Sequence, residues 1–441
     1  MLDITKASFR YTILFFACML TFGSYFVFDL PSAISDELII YLDITKDQYQ
    51  LFYTAYTICN FISVCFGGYL LDKTGARVGA VVFTAFICTG QLIWGIGGQY
   101  KSYIVMIIGR AVYGIGGGCI CVCQESICTH YFKGKELALA FGATLCVSRL
   151  GSVLNFFISP LICEEIGVPN TIWVSVSICF ISILFVIIFC YLDKVNTDQT
   201  HSQMKAKTKK INIKDLLTFR AEFWLLVSIC AVFYGCIFPF ISVARSMFKT
   251  IWKLDSWTSS VCTGVVYDVA LIFSIPMGKL VDHVGKRLTF LICATIMTVI
   301  SNLLLLLCQP TASNKMSAIP WISMVILGFA YCFTASTLWS GVSLVVKKAQ
   351  VGSAMAITTA IQMLMNSIIN IIVGALTLDQ NIYVFVSLAV LSALIVIALG
   401  FVDFKNYKIL NNKNSVGIFK DDIVKDEEQG LLQQETNDSP K

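Results

Sequence analysis

Apolar stretches of about 20 residues recur along the whole chain, the length an α-helix needs to cross the hydrocarbon core of a bilayer. Twelve are read, near 11–33, 50–71, 78–97, 103–131, 137–160, 171–192, 221–244, 258–281, 288–308, 320–346, 352–377 and 381–403. In hydrocarbon an unpaired backbone amide costs several kcal/mol, so each run is expected to close its own hydrogen bonds as a helix. The 441 residues are 57% hydrophobic and 13% charged, against roughly 25% charged in soluble domains. The expected fold class is an all-α polytopic membrane protein. The first run leads straight into further spans, unlike a cleaved leader.

The runs divide six and six around one long polar linker, residues 194–220, which carries Lys205, Lys207, Lys209, Lys210 and Lys214. The expected organisation is an N-terminal bundle over 1–193, a bundle over 221–403 and a disordered polar tail over 404–441. Lys73, Arg77, Lys133, Lys135, the linker, Lys286, Arg287, Lys347 and Lys348 fall on one side of the membrane. Asp36, Glu37, Asp43, Asp47, Glu164 and Glu165 fall on the other. The positive-inside rule makes the basic side, with both termini, cytosolic.

One loop occurs twice. GGYLLDKTGARVG (67–79) follows the second run and MGKLVDHVGKRL (277–288) follows the eighth. Both fit G-x-L-x-D-x-x-G-x-[RK], pairing Gly68 with Gly278, Asp72 with Asp282, Gly75 with Gly285 and Arg77 with Arg287. The first glycine is expected to admit a neighbouring helix, the aspartate to face a helix N-terminus or a base, and the second glycine to permit a tight turn. Equivalent placement in two halves is the mark of a transporter built from repeats, with its site between them at mid-membrane. The chain resembles the major facilitator superfamily over about residues 8–405. Residues 109–118, with Arg110, Gly114 and Gly116 in place, resemble that superfamily's fourth-helix motif. Arg110 is read as a gate or structural arginine on the cytosolic side.

Within the superfamily the chain is similar to the lysosomal dipeptide transporters. The stretches are FGSYFVFDLP (22–31), GQLIWGIGG (90–98), FKGKELALAFG (132–142), SRLGSVLN (148–155), FPFI (238–241), VVY (265–267), LVDHVGK (280–286) and TLW (337–339). The resemblance implies dipeptide export from lysosomes, a glycosylated accessory subunit, and a substrate-binding role for Arg149. It also implies a glutamate after G-I-G-G in the fourth helix, where this chain has Gly118.

Arg149 interrupts LCVSRLGSVLNF (145–156) about twelve residues from the cytosolic end of its run, or roughly 18 Å, near the midplane. An arginine at that depth costs at least about 2.5 kcal/mol. Thr144, Ser148, Ser152, Asn155 and Ser159 form a polar stripe beside it, so this face lines a cavity or another helix. A planar guanidinium suits a peptide carboxylate, or a buried acid in a structural pair. Asp268, Glu125 and Asp29 are the acids available for the peptide amine. Depth favours Asp268, which is expected to face Arg149 across the cavity. Tyr267, Trp339 and Gln362 are amphipathic side chains expected to complete the site.

The GIGGG run follows no strand and is no dinucleotide fingerprint. The histidines and cysteines lack metal-ligand spacing. No nucleophile–base constellation stands out, so the reading is a non-enzyme without cofactor, metal or nucleic acid, whose partners are the bilayer, a dipeptide and the implied accessory subunit. EEQGLL (427–432) fits an acidic dileucine address through Glu427, Leu431 and Leu432. No N-x-[ST] glycosylation site lies in a luminal loop. Plasma-membrane uptake of amino acids or organic anions, and a non-transporting nutrient receptor, remain open on the sequence.

Overall fold

The computed structural model describes residues 7–132, 137–200, 219–310, 317–346, 351–406 and 410–411. The helices are α1 (Ala7–Ala33), α2 (Ser35–Leu42), α3 (Lys46–Thr74), α4 (Ala76–Gln99), α5 (Tyr103–Phe132) and α6 (Leu137–Thr200). The second half follows with α7 (Ala221–Thr250), α8 (Ser256–Val284), α9 (Arg287–Leu307), α10 (Ala318–Leu344), α11 (Val351–Ala375) and α12 (Leu378–Asn406).

Ten stretches are long and apolar enough to cross a membrane, and one of them, Gly142–Val195, is 54 residues long. It bends at Gly167, where φ is +80°, and so crosses twice. α3 is the remaining span. Gln50, Thr54, Thr57 and Asn60 dilute its hydropathy, and all four are buried. These crossings form two six-helix bundles. The N-terminal bundle has an apolar core containing Phe83, Ile120 and Phe189, and the C-terminal bundle one containing Phe240, Val266 and Phe385. The sixth helix runs on to Thr200, into the expected linker, whose residues 201–218 lie outside the described ones.

Local signals explain the ends. Gln48 accepts the Thr45 N–H at 3.0 Å and opens α3, and Asp255 accepts the Thr258 N–H at 3.0 Å and opens α8. Gly75 has φ +84° and Gly285 φ +73°, so the second glycine of each duplicated loop makes the turn for which only glycine is unstrained. The expected close approach at the first glycine is not made at Gly278, because a Cβ there would meet nothing within 4 Å. The side chains at Gly68, Asp72 and Asp282 lie outside those described.

The turns at Gly75 and Gly285 define one face of the protein, here called the basic face. Helix α2 lies on the opposite, acidic face. At the basic face Arg77 bonds Asp193 at the end of α6, with Nε to Oδ2 2.7 Å, and the Tyr131 hydroxyl reaches the other carboxylate oxygen at 2.7 Å. Arg287, the matching base, donates instead to Ser340 Oγ at 3.1 Å, and its backbone N–H bonds the Leu410 carbonyl.

Candidate functional site

The polar stripe of α6 packs inside the N-terminal bundle. Ser148 lies 2.7 Å from Thr21 Oγ1 on α1, and Gln124 donates to the same hydroxyl at 3.0 Å. Arg149 stands at the edge of this stripe, 7% exposed, and its guanidinium turns into the seam between the bundles. It donates to the Tyr331 hydroxyl. Its Cζ lies 5.0 Å from the ring centroid of Tyr25, 5.1 Å from Tyr267 and 5.0 Å from Tyr331. Those rings come from α1, α8 and α10, so both bundles close on one cation. A ring face stabilises a desolvated guanidinium by about 2 kcal/mol or more. Among the described residues the bond to Tyr331 is the one hydrogen bond Arg149 makes, so most of its five donors stay uncommitted.

The expected pairing of Arg149 with Asp268 is not made. Asp268 forms no hydrogen bond or ion pair among the described residues and is half-buried. One residue is about 100° of helix rotation, and it is the neighbouring Tyr267 that points to Arg149. The acid nearest the cage is Asp29 of α1, which is 2% exposed. Its Oδ1 accepts from Tyr267 Oη at 3.3 Å, and it lies within electrostatic reach of Arg149 and Arg110. Glu125 is exposed, and lies seven residues along α5 from Gly118, roughly 10 Å closer to the basic face.

At Gly118 a Cβ would meet Asn60 Oδ1 at 2.1 Å. The space that a fourth-helix glutamate would enter is therefore filled by an amide from α3. Arg110 is not at a basic-face gate. It is seven residues into α5 from the acidic face, 2% exposed, stacked 4.4 Å from Trp94 and bonded to the Val27 carbonyl at 3.3 Å. The direction of the fourth span, from acidic to basic face, sets that depth.

The aromatic lining extends beyond the cage. Tyr234 of α7 lies edge-on to Tyr331 at 6.0 Å and stacks on Phe238 at 5.6 Å, and Phe28 of α1 meets Phe238 at 6.4 Å. Trp339 lies beside Tyr234. Gln362 accepts a thiol hydrogen bond from Cys230 at 3.8 Å, within the C-terminal bundle. Tyr25, Tyr331 and Tyr234 were not singled out in the sequence. Tyr25 and Asp29 do share the stretch FGSYFVFDLP, four residues apart on one face of α1.

The acidic face is latched. Arg245 of α7, fully buried, donates Nη1 to Glu37 Oε2 at 2.5 Å and Nη2 to Oε1 at 2.8 Å, and Nη2 also reaches Ser256 Oγ at 2.6 Å. Lys249 lies 3.5 Å from Asp36, and Ser246 donates to Asp36 Oδ1 at 2.6 Å. Ser32 bonds the Ile241 carbonyl at 2.6 Å, while Gln50 bonds Ser242 Oγ at 2.9 Å. Apart from the bond between Arg245 and Ser256, which ties α7 to α8, each of these contacts joins the N-terminal bundle to α7. Burial works to raise the Glu37 carboxyl, but the hydrogen bonds and charge of Arg245, with Ser256, outweigh it and hold the group at about 2.

A buried cation between two repeated bundles, with one end of the seam latched shut, defines a membrane transporter of the alternating-access type. The profile of the Major Facilitator Superfamily matches residues 13–369 and 256–417, and the chain belongs to that superfamily. It is 32% identical over 394 residues to the lysosomal dipeptide transporter MFSD1 of Homo sapiens, covering 87% of this chain and 83% of that protein. With the protein of that name in Mus musculus it shares 30% over 413 residues, 90% of this chain and 87% of the other. The crystal structure of an auto inhibited POT family peptide transporter superposes with a TM-score of 0.70 over 92% of this chain and 99% of that one, at 12% identity, a likeness of fold alone.

Proposed function

We propose that this protein carries dipeptides out of lysosomes into the cytosol by alternating access. The observation that carries the reading is Arg149, a buried guanidinium held by rings from both bundles with most of its donors uncommitted. A substrate carboxylate takes that fork on two parallel hydrogen bonds. The aromatic walls tolerate varied side chains because they stack without demanding particular hydrogen bonds. The relatives named as lysosomal dipeptide transporters support the same substrate class.

In this reading the basic face is cytosolic and the acidic face luminal, so the latch at Arg245 and Glu37 closes the luminal gate. Substrate then leaves toward the cytosol, and reopening on the lumen requires that network to part. Transport is uniport down the gradient that proteolysis generates. A glycosylated accessory subunit shields the luminal loops, and Glu427, Leu431 and Leu432, outside the described residues, supply the address.

Counterflow in proteoliposomes with dipeptides, free amino acids and organic acids, each with and without a pH gradient, tests this. Dipeptides should exchange at a rate indifferent to the gradient. Exchange of amino acids or organic acids without dipeptides would overturn the substrate class, gradient-driven accumulation would overturn uniport, and binding without flux would indicate a receptor. Deleting residues 427–432 should move the protein to the cell surface, and a distribution unchanged would remove the address.

A further inference from the structure

We infer that Asp29 is the residue that reads the substrate's amino group. The inference rests on the dipeptide reading above and names the second end of the same site.

Asp29 is 2% exposed, and one of its two carboxylate oxygens is unused. Oδ1 accepts from Tyr267 at 3.3 Å, whereas Oδ2 makes no hydrogen bond. A buried carboxylate is costly unless it is paired and hydrogen-bonded. Neither nearby arginine closes on it. Arg149 gives its hydrogen bond to Tyr331, and Arg110 bonds the Val27 carbonyl and stacks on Trp94. Two buried hydroxyls stand close by: Ser152 within weak hydrogen-bonding reach of Asp29, and Tyr53 within such reach of Tyr49, neither closing a well-aligned bond. An ammonium brings three donors to this cluster of acceptors.

The spacing suits a dipeptide. Tyr267 touches both charges, with its ring 5.1 Å from Arg149 Cζ and its hydroxyl 3.3 Å from Asp29 Oδ1. The two charged groups are thus separated by one tyrosine ring and a contact at each end. An extended dipeptide spans about 7 Å between its termini, which bridges that separation. At the depth of Gly118, α5 offers no carboxylate, and Asn60 fills the space there.

The test is inhibition of labelled L-alanyl-L-alanine counterflow by three probes: the free dipeptide, its N-acetyl form and its C-terminal amide. In the wild-type protein each blocked form should bind at least about tenfold more weakly, the scale of one lost charge-assisted hydrogen bond. In Asp29→Asn the N-acetyl penalty should fall to within about twofold while the amide penalty persists. An N-acetyl penalty unchanged in Asp29→Asn would overturn the assignment, and so would loss of both penalties together. Should Asp29→Asn fail to insert, Tyr267→Phe keeps the carboxylate and removes the hydroxyl that aims it. It should lower the N-acetyl penalty and spare the amide penalty; an unchanged N-acetyl penalty would again overturn the assignment. A wild-type protein that penalises the amide but not the N-acetyl form sinks this inference alone. One that binds no dipeptide sinks the function on which it rests.

Discussion

The two bundles repeat one architecture but divide the site between them. Asp29, Arg110 and Arg149, the charges around the cage, all belong to the N-terminal bundle. The C-terminal bundle contributes rings: Tyr267 and Tyr331 on Arg149, with Tyr234 and Phe238 behind them. On the proposed reading the charges would fix the ends of a zwitterion and the rings would close over its middle. A substrate docked on one bundle would then draw the other toward it, which would couple binding to rocking.

The largest break in this division is Arg149→Lys. Lysine keeps the charge and loses the planar fork, the stacking and the two-bond geometry. Loss of one of the two charge-assisted hydrogen bonds together with the stacking is worth about 3 kcal/mol, or about 100-fold in transport efficiency. Tyr331→Phe removes the hydroxyl and keeps the ring, so its effect should be smaller, about tenfold. Initial rates of dipeptide uptake against concentration measure both. Equal losses in the two variants would mean that the hydroxyl, not the fork, carries recognition.

The second break is at the latch. Glu37→Gln removes the bidentate carboxylate from buried Arg245 and leaves Asp36, 3.8 Å away, as its remaining acid, a loss of about 3 kcal/mol, the lower end for a broken buried pair. That is enough to tilt a rocking equilibrium toward opening at the acidic face. Dyes on unnatural amino acids at Ile40 and Lys253 should move apart in single-molecule transfer measurements. An unchanged distance would mean that the hydroxyl and amide contacts at Ser32 and Gln50 hold the face shut without the ion pair.

The basic face offers a gentler contrast between the halves. Asp193 takes both Arg77 and Tyr131, whereas Asp403, at the matching end of α12, accepts the Leu410 N–H at 3.3 Å. Arg77 is about a third exposed, at 34%, so the pair is discounted for solvent to about 1 kcal/mol. Asp193→Asn should lower the melting temperature of the purified protein by a few degrees at most. A larger fall would show that Asp193 bears more of the fold than one solvent-screened pair.

Much of this was legible in the sequence because bilayer physics writes itself into composition. Each apolar run became a span, and Gly75 and Gly285 took the predicted turns. Helix α2, eight residues long, is too short to leave such a pattern. The latch was half visible. Asp36 and Glu37 stand out as acids, but Arg245 stands just past the end of an apolar run, 208 residues from Glu37, and no local spacing pairs them. Arg149 was found because a charge in hydrocarbon is conspicuous. Its rings were harder, since one tyrosine from each of three helices makes no motif. Depth favours Asp268, but depth says nothing of azimuth, and it is the adjacent Tyr267 that meets Arg149.

The smallest expected effect is a null one, and it separates the two faces by pH. Glu37 is held at about 2 in the folded protein, below its ordinary 4.5. A group lowered on folding contributes stability that is complete above its unfolded value, and that contribution is lost as pH falls from about 4.5 toward about 2. At about pH 5, the acidity of a degradative compartment, the bidentate pair with Arg245 is therefore still formed. Closure of the acidic face, read by the same pair of dyes, should be unchanged between pH 7 and pH 5. It should loosen only in stronger acid, as pH falls from about 4.5 toward about 2. Opening on acidification to pH 5 would mean that protons rather than substrate release the latch. Transport would then be proton-gated at the very face where the geometry places a permanent ion pair.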